Sequence, residues 1–282
     1  MNKLTKVQEE YFKDSKIKDK NNELQVFYHA TDVKFNAFDK EYIGGSHGSS
    51  FGEGFYFSSE PIPAYGENIA VYLDVHKPYT LDLENEENIK DFAKQIDVEY
   101  EELQSYIKWY GGKIKSGISK TLKENDDLDP LKEKGFDGLI ILNTSVGLYE
   151  QPKQSIEKEI VVFEPNQIKS IDNLYPTKSH IFTNNKEEYI KQINDNTDIK
   201  KAINFVSDDG LNLKDLSPVL RNNEEIVKAA ITNNSKSIKY ASDRIKDNLK
   251  LLNKKEIEKA KEINNKVQTK KRKVKLNQGF SL

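Results

Sequence analysis

Short apolar segments separated by turn residues occupy the first part of the chain. They are rich in aromatic and β-branched residues or alternate between apolar and polar positions, and both patterns are typical of strands. Gly, Pro and Asn lie in the gaps between them. The predicted strands are residues 24–29, 54–58, 71–75, 80–83, 135–142 and 157–163, and residues 167–172 are expected to extend or close the same sheet.

Residues 86–134 show helical periodicity instead. Glycines at Gly111-Gly112 are expected to interrupt the helix. Shorter helices are predicted within residues 3–19 and at 64–68. Apolar residues in the centre of the long segment recur at intervals of four, three and four, which predicts one helix face: Leu103, Ile107, Tyr110 and Ile114.

The composition changes after Tyr175, where Asn, Lys and Ile become frequent. Two similar segments follow, Asp198–Ala202 and Glu225–Ala229, and each leads into a turn and a second short helix. Short strands with helices on one side predict an α+β first domain, with a split, mostly antiparallel β core and a helical insertion, before a small all-α domain. The expected boundaries are 1–175 for the first domain, 176–268 for the helical domain with a charged helix at 249–268, and 269–282 for a basic tail.

Composition limits the classes of function. The 282 residues have a net charge of −2 and are 36% apolar, 32% charged and 10% aromatic, which is polar but sufficient for a core. Cysteine is absent and no two of the four histidines have ligand spacing, so neither disulfides nor a metal site is expected. No apolar run approaches the ~20 residues of a membrane span, and Met1–Glu10 lacks a signal core. We expect no membrane association and a cytoplasmic location.

Three short segments contain the candidate chemistry. Phe51–Ser58 is a glycine-containing loop that enters an aromatic strand. Val26–Thr31 is an aromatic strand with His29 near its end, and Glu157–Phe163 is a strand that contains Glu159. Each of these side chains, considered separately, is more often structural than functional.

In combination the segments resemble the histidine-tyrosine-glutamate class of ADP-ribosyltransferases. That class has a His-Gly, a Gly-x-Gly-x-Tyr-Phe and a late Glu-x-Ile-Val-x-aromatic motif. The same order occurs here as His29-Ala30, Gly52 to Phe57, and Glu159 to Phe163. The resemblance implies the split β core of that class.

The flanking residues resemble the version found in phage and mobile-element polyvalent and head-associated proteins. Tyr11–Lys16 matches its lead-in, and Phe163–Ser170 matches the run after its last strand, so the resemblance covers residues 5–172. The C-terminal segments resemble a small bacterial helical repeat of unknown function, DUF4116, at Glu225–Ala230 and Tyr240–Ser242.

The resemblance implies NAD as the substrate and a role for each motif residue. His29 would hydrogen-bond the ribose on the adenosine side, and the Ala30 backbone would hold the carboxamide, although the class prefers glycine there. Tyr56 would stack on nicotinamide. Glu159 would hold the 2′-hydroxyl of the nicotinamide ribose and stabilise the oxocarbenium-like ribose as the glycosidic bond breaks.

Four more residues are candidates. Thr31 and Ser58 would add binding contacts, and Tyr65, on the helix predicted at 64–68, would cover the opposite face of nicotinamide. Glu157 lies two residues before Glu159 and therefore on the same strand face. Because arginine-modifying members of the wider superfamily have a glutamate at this offset, we hypothesise that Glu157 helps to accept a substrate side chain.

The expected function is mono-ADP-ribosyl transfer to a macromolecule, with a host protein as acceptor, as in phage, toxin or effector proteins. One alternative acceptor is nucleic acid, which the basic Lys270–Lys273 tail would favour, although such a run is more often a solvated terminus. Another is water, which would make the protein an NAD glycohydrolase. A different class is a non-catalytic NAD-binding or interaction module, but degenerate members often lose the carboxylate that Glu159 retains. His76 and His180 have no evident partners and are interpreted as structural.

Overall fold

The structure is a computed structural model, and it describes residues 3–43, 50–125, 127–146 and 154–251. Within these residues seven strands form one sheet. The strands are β1 (Phe27–Thr31), β2 (Phe55–Ser58), β3 (Glu67–Leu73), β4 (Pro78–Asp82), β5 (Gly138–Val146), β6 (Gln154–Val162) and β7 (Ile168–Ser170). The α-helices of the same residues are α1 (Lys6–Tyr11), α2 (Glu86–Gln95), α3 (Tyr100–Trp109), α4 (Ile114–Glu124), α5 (Asp129–Glu133), α6 (Lys186–Asn196), α7 (Ile199–Asp208), α8 (Glu224–Asn233) and α9 (Asp243–Leu251).

The strand order is β4-β5-β6-β2-β1-β3-β7. Only β4 and β5 are parallel; the other neighbours among these strands are antiparallel. β1 and β2 pair through a single Cα pair, Tyr28 with Ser58, whereas β1 and β3 pair through five. The sheet is therefore split between β1 and β2, and the predicted α+β fold with a split, mostly antiparallel core is confirmed.

The two faces of the sheet have separate cores. Helices α2 to α5, the predicted helical insertion, pack on the face that carries Leu139, Ile141 and Val161. The opposite face carries aromatic residues of β1 and β2 and is covered by Phe35, Phe38 and Phe182. A strand alternates its side chains between faces, so adjacent residues of β2 and β6 contribute to different cores. The members of the second core include Phe27, Phe55, Phe57, Ile160 and Val162.

The flanks of the predicted domain meet each other. The Tyr11 hydroxyl lies 3.0 Å from the carbonyl oxygens of both Asn166 and Thr177. Residues 167–172 contain β7, which pairs with β3, as predicted. These two segments thus close the edge of the sheet.

Two predictions about helices are wrong. The helix at 64–68 is a single 3-10 turn, Pro63–Tyr65, because Gly66 (φ 105°) ends it and β3 begins at Glu67. The single apolar face through residues 103, 107, 110 and 114 does not form. α3 ends at Trp109, Gly111 and Gly112 have φ of 67° and 84°, and α4 starts a new helix. The expected glycine interruption is confirmed. β5 and β6 also extend beyond the predicted strands 135–142 and 157–163, since β5 ends at Val146 and β6 begins at Gln154.

The remaining helices form a second compact unit, which consists of the described parts of Met1–Glu10 and Lys186–Leu282. In it, Asp208 accepts hydrogen bonds from the Lys6 and Val7 amides at 2.6 and 3.1 Å, and Lys200 pairs with Glu10 at 2.7 Å. The first unit is Tyr11–Asn185. The compact units thus differ from the expected 1–175 and 176–268 division, because the first helix is held by the C-terminal helices.

Within this unit α7 and α8 are each followed by a 3-10 helix, Gly210–Asp215 and Ser235–Tyr240. Asp198 caps α7 and Asn223 caps α8 through side-chain oxygens. The charged helix expected at 249–268 and the Lys270–Lys273 tail lie largely outside the described residues, which end at 251. None of the helices in the described part of the chain is long and apolar enough to cross a membrane.

Candidate active site

Glu159 lies in the middle of the sheet, on β6 between β2 and β5. Its Cα partners are Ser58 on one side and Ile141 on the other. The residue is only 7% exposed. An ionised carboxylate in such a position is costly unless it is paired, and burial raises the pKa of Glu159 above its usual value of 4.5.

Two side chains oppose this effect of burial. Lys115, in the first turn of α4, places its Nζ 3.5 Å from Glu159 Oε2 and 4.9 Å from the centre of the Phe51 ring. Asn143 of β5 has φ of 58°, and the hydroxyl of the next residue, Thr144, lies near enough to the carboxylate to lower its pKa. That hydroxyl is buried, and among the described residues no contact to it meets the geometry of a hydrogen bond.

Tyr56 shares the sheet face of Glu159. It is the Cα partner of Val161, which makes it a diagonal neighbour of Glu159 at roughly 8 Å. Its hydroxyl donates to the Gly52 carbonyl at 2.6 Å and accepts from the Phe51 amide at 2.8 Å. Burial raises the pKa of Tyr56 well above its ordinary value, so the phenol is neutral at physiological pH.

The glycines of the loop are required by close packing. Gly52 has φ of 92°, and a Cβ there would lie 2.4 Å from Asp127 Oδ1. A Cβ on Gly54 would lie 2.4 Å from a Val161 methyl carbon. Asp127 also accepts a hydrogen bond from the Glu53 amide at 2.7 Å. The loop before β2 is therefore held by Tyr56 from within and by the insertion from outside.

His29 lies at the split and has a different orientation. Its Nδ1 is 2.9 Å from the Tyr56 carbonyl oxygen, which requires a protonated Nδ1 and makes Nε2 an acceptor in the neutral ring. Its ring packs against Phe38 and Phe57, with centroids 5.1 and 5.5 Å away. The imidazole thus lies with the aromatic core of the opposite face and reaches the backbone of Tyr56, not its ring. The structure brings Tyr56 and Glu159 to one face of the sheet, and His29 lies on the opposite face, beside the split.

The remaining predicted site residues are distributed around this centre. Ser58, buried opposite Glu159, donates to the Glu60 carbonyl at 2.6 Å, and Thr31 exchanges hydrogen bonds with Val33. Ala30 pairs with Asn68 on β3. Tyr65 packs with Ile62 and Ile156 rather than on a helix. Glu157 is exposed and lies on the Glu159 side of β6 by strand alternation.

Sequence reasoning missed Lys115, Thr144 and Asp127. None of them belongs to a local motif, and the helical insertion that supplies Lys115 and Asp127 is distant in sequence from all three motifs. Cavities of about 330 and 790 Å³ lie elsewhere, and neither is lined by His29, Tyr56 or Glu159. The described residues contain no group of three or more side chains suited to a metal ion.

The split sheet and the buried acid beside a tyrosine and a glycine loop define the ADP-ribosyltransferase class. The family model "ADP-ribosyltransferase in polyvalent proteins" matches residues 19–178, more than half of the chain, and the chain belongs to that family. The model "domain of unknown function (DUF4116)" matches residues 198–246 and spans both similar helical segments in one match. No curated protein and no solved structure matches the chain.

Proposed function

We propose that this protein is a mono-ADP-ribosyltransferase that uses NAD and modifies a macromolecule, with a host protein as the acceptor. The reaction breaks the bond between nicotinamide and ribose, forms a bond between the ribose C1′ and the acceptor, and releases nicotinamide and a proton. The observation that carries the proposal is the buried Glu159 carboxylate, placed on an interior strand of the sheet beside Tyr56.

Glu159 would act where positive charge develops. As the glycosidic bond breaks, the ribose becomes oxocarbenium-like, and a fixed carboxylate stabilises that cation most when water is excluded. The buried Thr144 hydroxyl and the Glu159 carboxylate together offer a donor and acceptors suited to ribose hydroxyl groups. This pairing fits the sugar of NAD.

Tyr56 and His29 would bind the two ends of the dinucleotide. The Tyr56 ring is held by its hydroxyl and would stack on nicotinamide without further loss of side-chain freedom. His29, through an accepting Nε2, would take a hydrogen bond from the other ribose at the split. Ala30, Thr31, Ser58 and Tyr65 would contribute contacts around them, and exposed Glu157 would meet the acceptor.

The test is incubation with NAD labelled in the adenylate phosphate, with a bacterial lysate and with the Glu159→Gln variant as control. Label on protein that depends on Glu159 supports the proposal. Label on nucleic acid, or free ADP-ribose without transfer, would replace the protein acceptor by nucleic acid or water. Absence of both transfer and nicotinamide release, while NAD binds, would leave a binding module.

A role for Glu157 in acceptor recognition is tested in the same assay. Glu157→Gln should reduce transfer to protein while nicotinamide release without acceptor is unchanged. Full transfer by this variant would remove Glu157 from the proposal.

A further inference from the structure

Lys115 is the one cationic side chain of the described residues that forms an ion pair with Glu159. It belongs to the helical insertion, not to the strands that carry the family motifs. Its side chain is 29% exposed and that of Glu159 is 9% exposed, so the pair is largely buried and its lysine end is the more accessible one. Its Nζ also lies over the buried Phe51 ring, 4.9 Å from the ring centre.

We propose that Lys115 is a positioning residue that keeps Glu159 ionised and correctly oriented, and that the helical insertion is thereby part of the catalytic apparatus. This inference rests on the proposed function. The physical reason is that a buried carboxylate without a counter-charge takes up a proton, and a protonated Glu159 could not stabilise an oxocarbenium-like ribose.

The other groups near Glu159 do not supply the positive counter-charge that its carboxylate needs, and Lys115 does. Tyr56 is neutral, and the Thr144 hydroxyl has no charge. On β6 itself, Lys158 points to the other face, where its Nζ is 3.0 Å from Gln25 Oε1. Among the described residues, Lys115 of α4 is the charged group paired with the Glu159 carboxylate, Tyr56 of β2 and Glu157 of β6 share its face of the sheet, and Asp127 lies near Tyr56.

The position of the ammonium group is also consistent with a role before, rather than during, bond cleavage. The ion pair joins Lys115 Nζ to Oε2 of the carboxylate at 3.5 Å, which is long for such a pair. A longer contact stabilises the negative charge without fixing both oxygens, so the second oxygen can accept a hydrogen bond from a ribose hydroxyl. The Lys115 ammonium group also makes a cation–π contact with the Phe51 ring, which limits the freedom of the side chain.

The test is the pH dependence of kcat/KM for nicotinamide release in wild type, Lys115→Met and Lys115→Arg. Lys123→Met is the matched control, because Lys123 is exposed on the same helix. The acidic limb reports the ionisation of the free enzyme. In Lys115→Met the midpoint of the acidic limb should shift to higher pH by about one unit, as expected when an adjacent opposite charge is lost. Activity should recover at high pH, Lys115→Arg should restore the wild-type profile, and Lys123→Met should not change it.

Two results would overturn the inference. The first is an acidic limb in Lys115→Met that coincides with that of Lys123→Met. The second is a loss of activity that is equal at every pH and is not restored by arginine, which would indicate a packing role.

Failure of the proposed function can be distinguished from failure of this inference. If the wild-type protein neither releases nicotinamide nor modifies an acceptor, the proposed function is wrong. The carboxyl titration of ¹³C-labelled glutamate, assigned by the signal missing in Glu159→Gln, then still decides the inference. The Glu159 midpoint should rise in Lys115→Met and not in Lys123→Met; an unchanged midpoint would contradict it.

Discussion

Two buried carboxylates in the sheet-containing unit, Asp74 and Glu159, are each paired with a lysine, but in different ways. Asp74 is 3% exposed and lies 2.6 Å from Lys178 Nζ and 2.8 Å from His76 Nε2. Glu159 is 7% exposed, and within the described residues it has one ion pair, at 3.5 Å, beside the Thr144 hydroxyl, for which no hydrogen bond is found there. Asp74 is thus well satisfied by short contacts, and Glu159 is not.

The difference indicates that one carboxylate has a structural role and the other a catalytic role. A buried acid with short, charged hydrogen bonds stabilises the fold around it, and removal of the acid disrupts that network. A buried acid that is only partly compensated costs stability, and such groups cluster at functional sites. Asp74 and Glu159 should therefore respond in opposite ways to the same substitution, carboxylate to amide.

The largest effect is expected from Glu159→Gln. The rate of nicotinamide release should fall ~100-fold to ~1000-fold, because a fixed electrostatic partner of the transition state is lost. Thermal stability should be retained or increase, since the costly buried charge is removed. Chromatographic measurement of nicotinamide and a thermal unfolding curve test both parts. Activity within tenfold of wild type would show that Glu159 is not catalytic.

Asp74→Asn should give the reverse pattern. Loss of the charge-assisted hydrogen bonds to Lys178 and His76 is expected to cost about 2 kcal/mol of unfolding free energy, measured by urea titration. The rate of nicotinamide release should remain within threefold of wild type at a temperature where the variant is folded. A large loss of activity with unchanged stability would remove the distinction between the two acids.

A smaller effect is expected from Tyr56→Phe, which keeps the ring and removes the two hydroxyl contacts to the glycine loop. Unfolding free energy should fall by about 1 kcal/mol, and kcat/KM for NAD should fall by about tenfold as the loop loses its fixed position. Tyr79→Phe is a matched control, because the Tyr79 hydroxyl lies away from the candidate site and donates a hydrogen bond of 2.8 Å to Asp91. The control should lose stability only; equal effects on kcat/KM in both variants would contradict a special role for Tyr56.

The smallest expected effect is a dependence of the unfolding free energy on pH. Because burial raises the pKa of Glu159, the folded protein binds this proton more tightly than the unfolded chain. Its contribution to stability is present below the ordinary pKa of 4.5 and is lost as pH rises through the folded-state value. The unfolding free energy of wild type relative to Glu159→Gln should therefore decrease with rising pH in that window. A difference that increases with pH would mean that the folded protein favours the charged form.

Much of the fold could be predicted from local patterns. Aromatic and β-branched runs located β2, β6 and β7 to within a few residues, and the paired glycines correctly marked the end of a helix. The error at 64–68 arose because Gly66 ends a 3-10 turn and the following residues gain a partner strand, β1. A local pattern contains no information about that partner.

The candidate site divides in the same way. Gly52, Gly54, Tyr56 and Glu159 could be identified because they lie in short motifs, each contained in one loop or strand. The order of these motifs along the chain is also typical of the class. The position of His29 on the aromatic side of the split could not be inferred, since it depends on where β1 and β2 cease to pair. Asp127 was missed for a related reason, because it reaches the glycine loop from the insertion.

The amino-acid sequence by itself determined most of the strands, the glycine loop and each family motif with the candidate acid, because each of these is a run of residues close together in the chain. Only the tertiary structure decided the ionic environment of that acid. Lys115 and Glu159 are 44 residues apart, and they meet because an insertion folds back over one face of the sheet. Coulomb interactions depend on distance in space and on burial, and neither is written in the local pattern of a sequence.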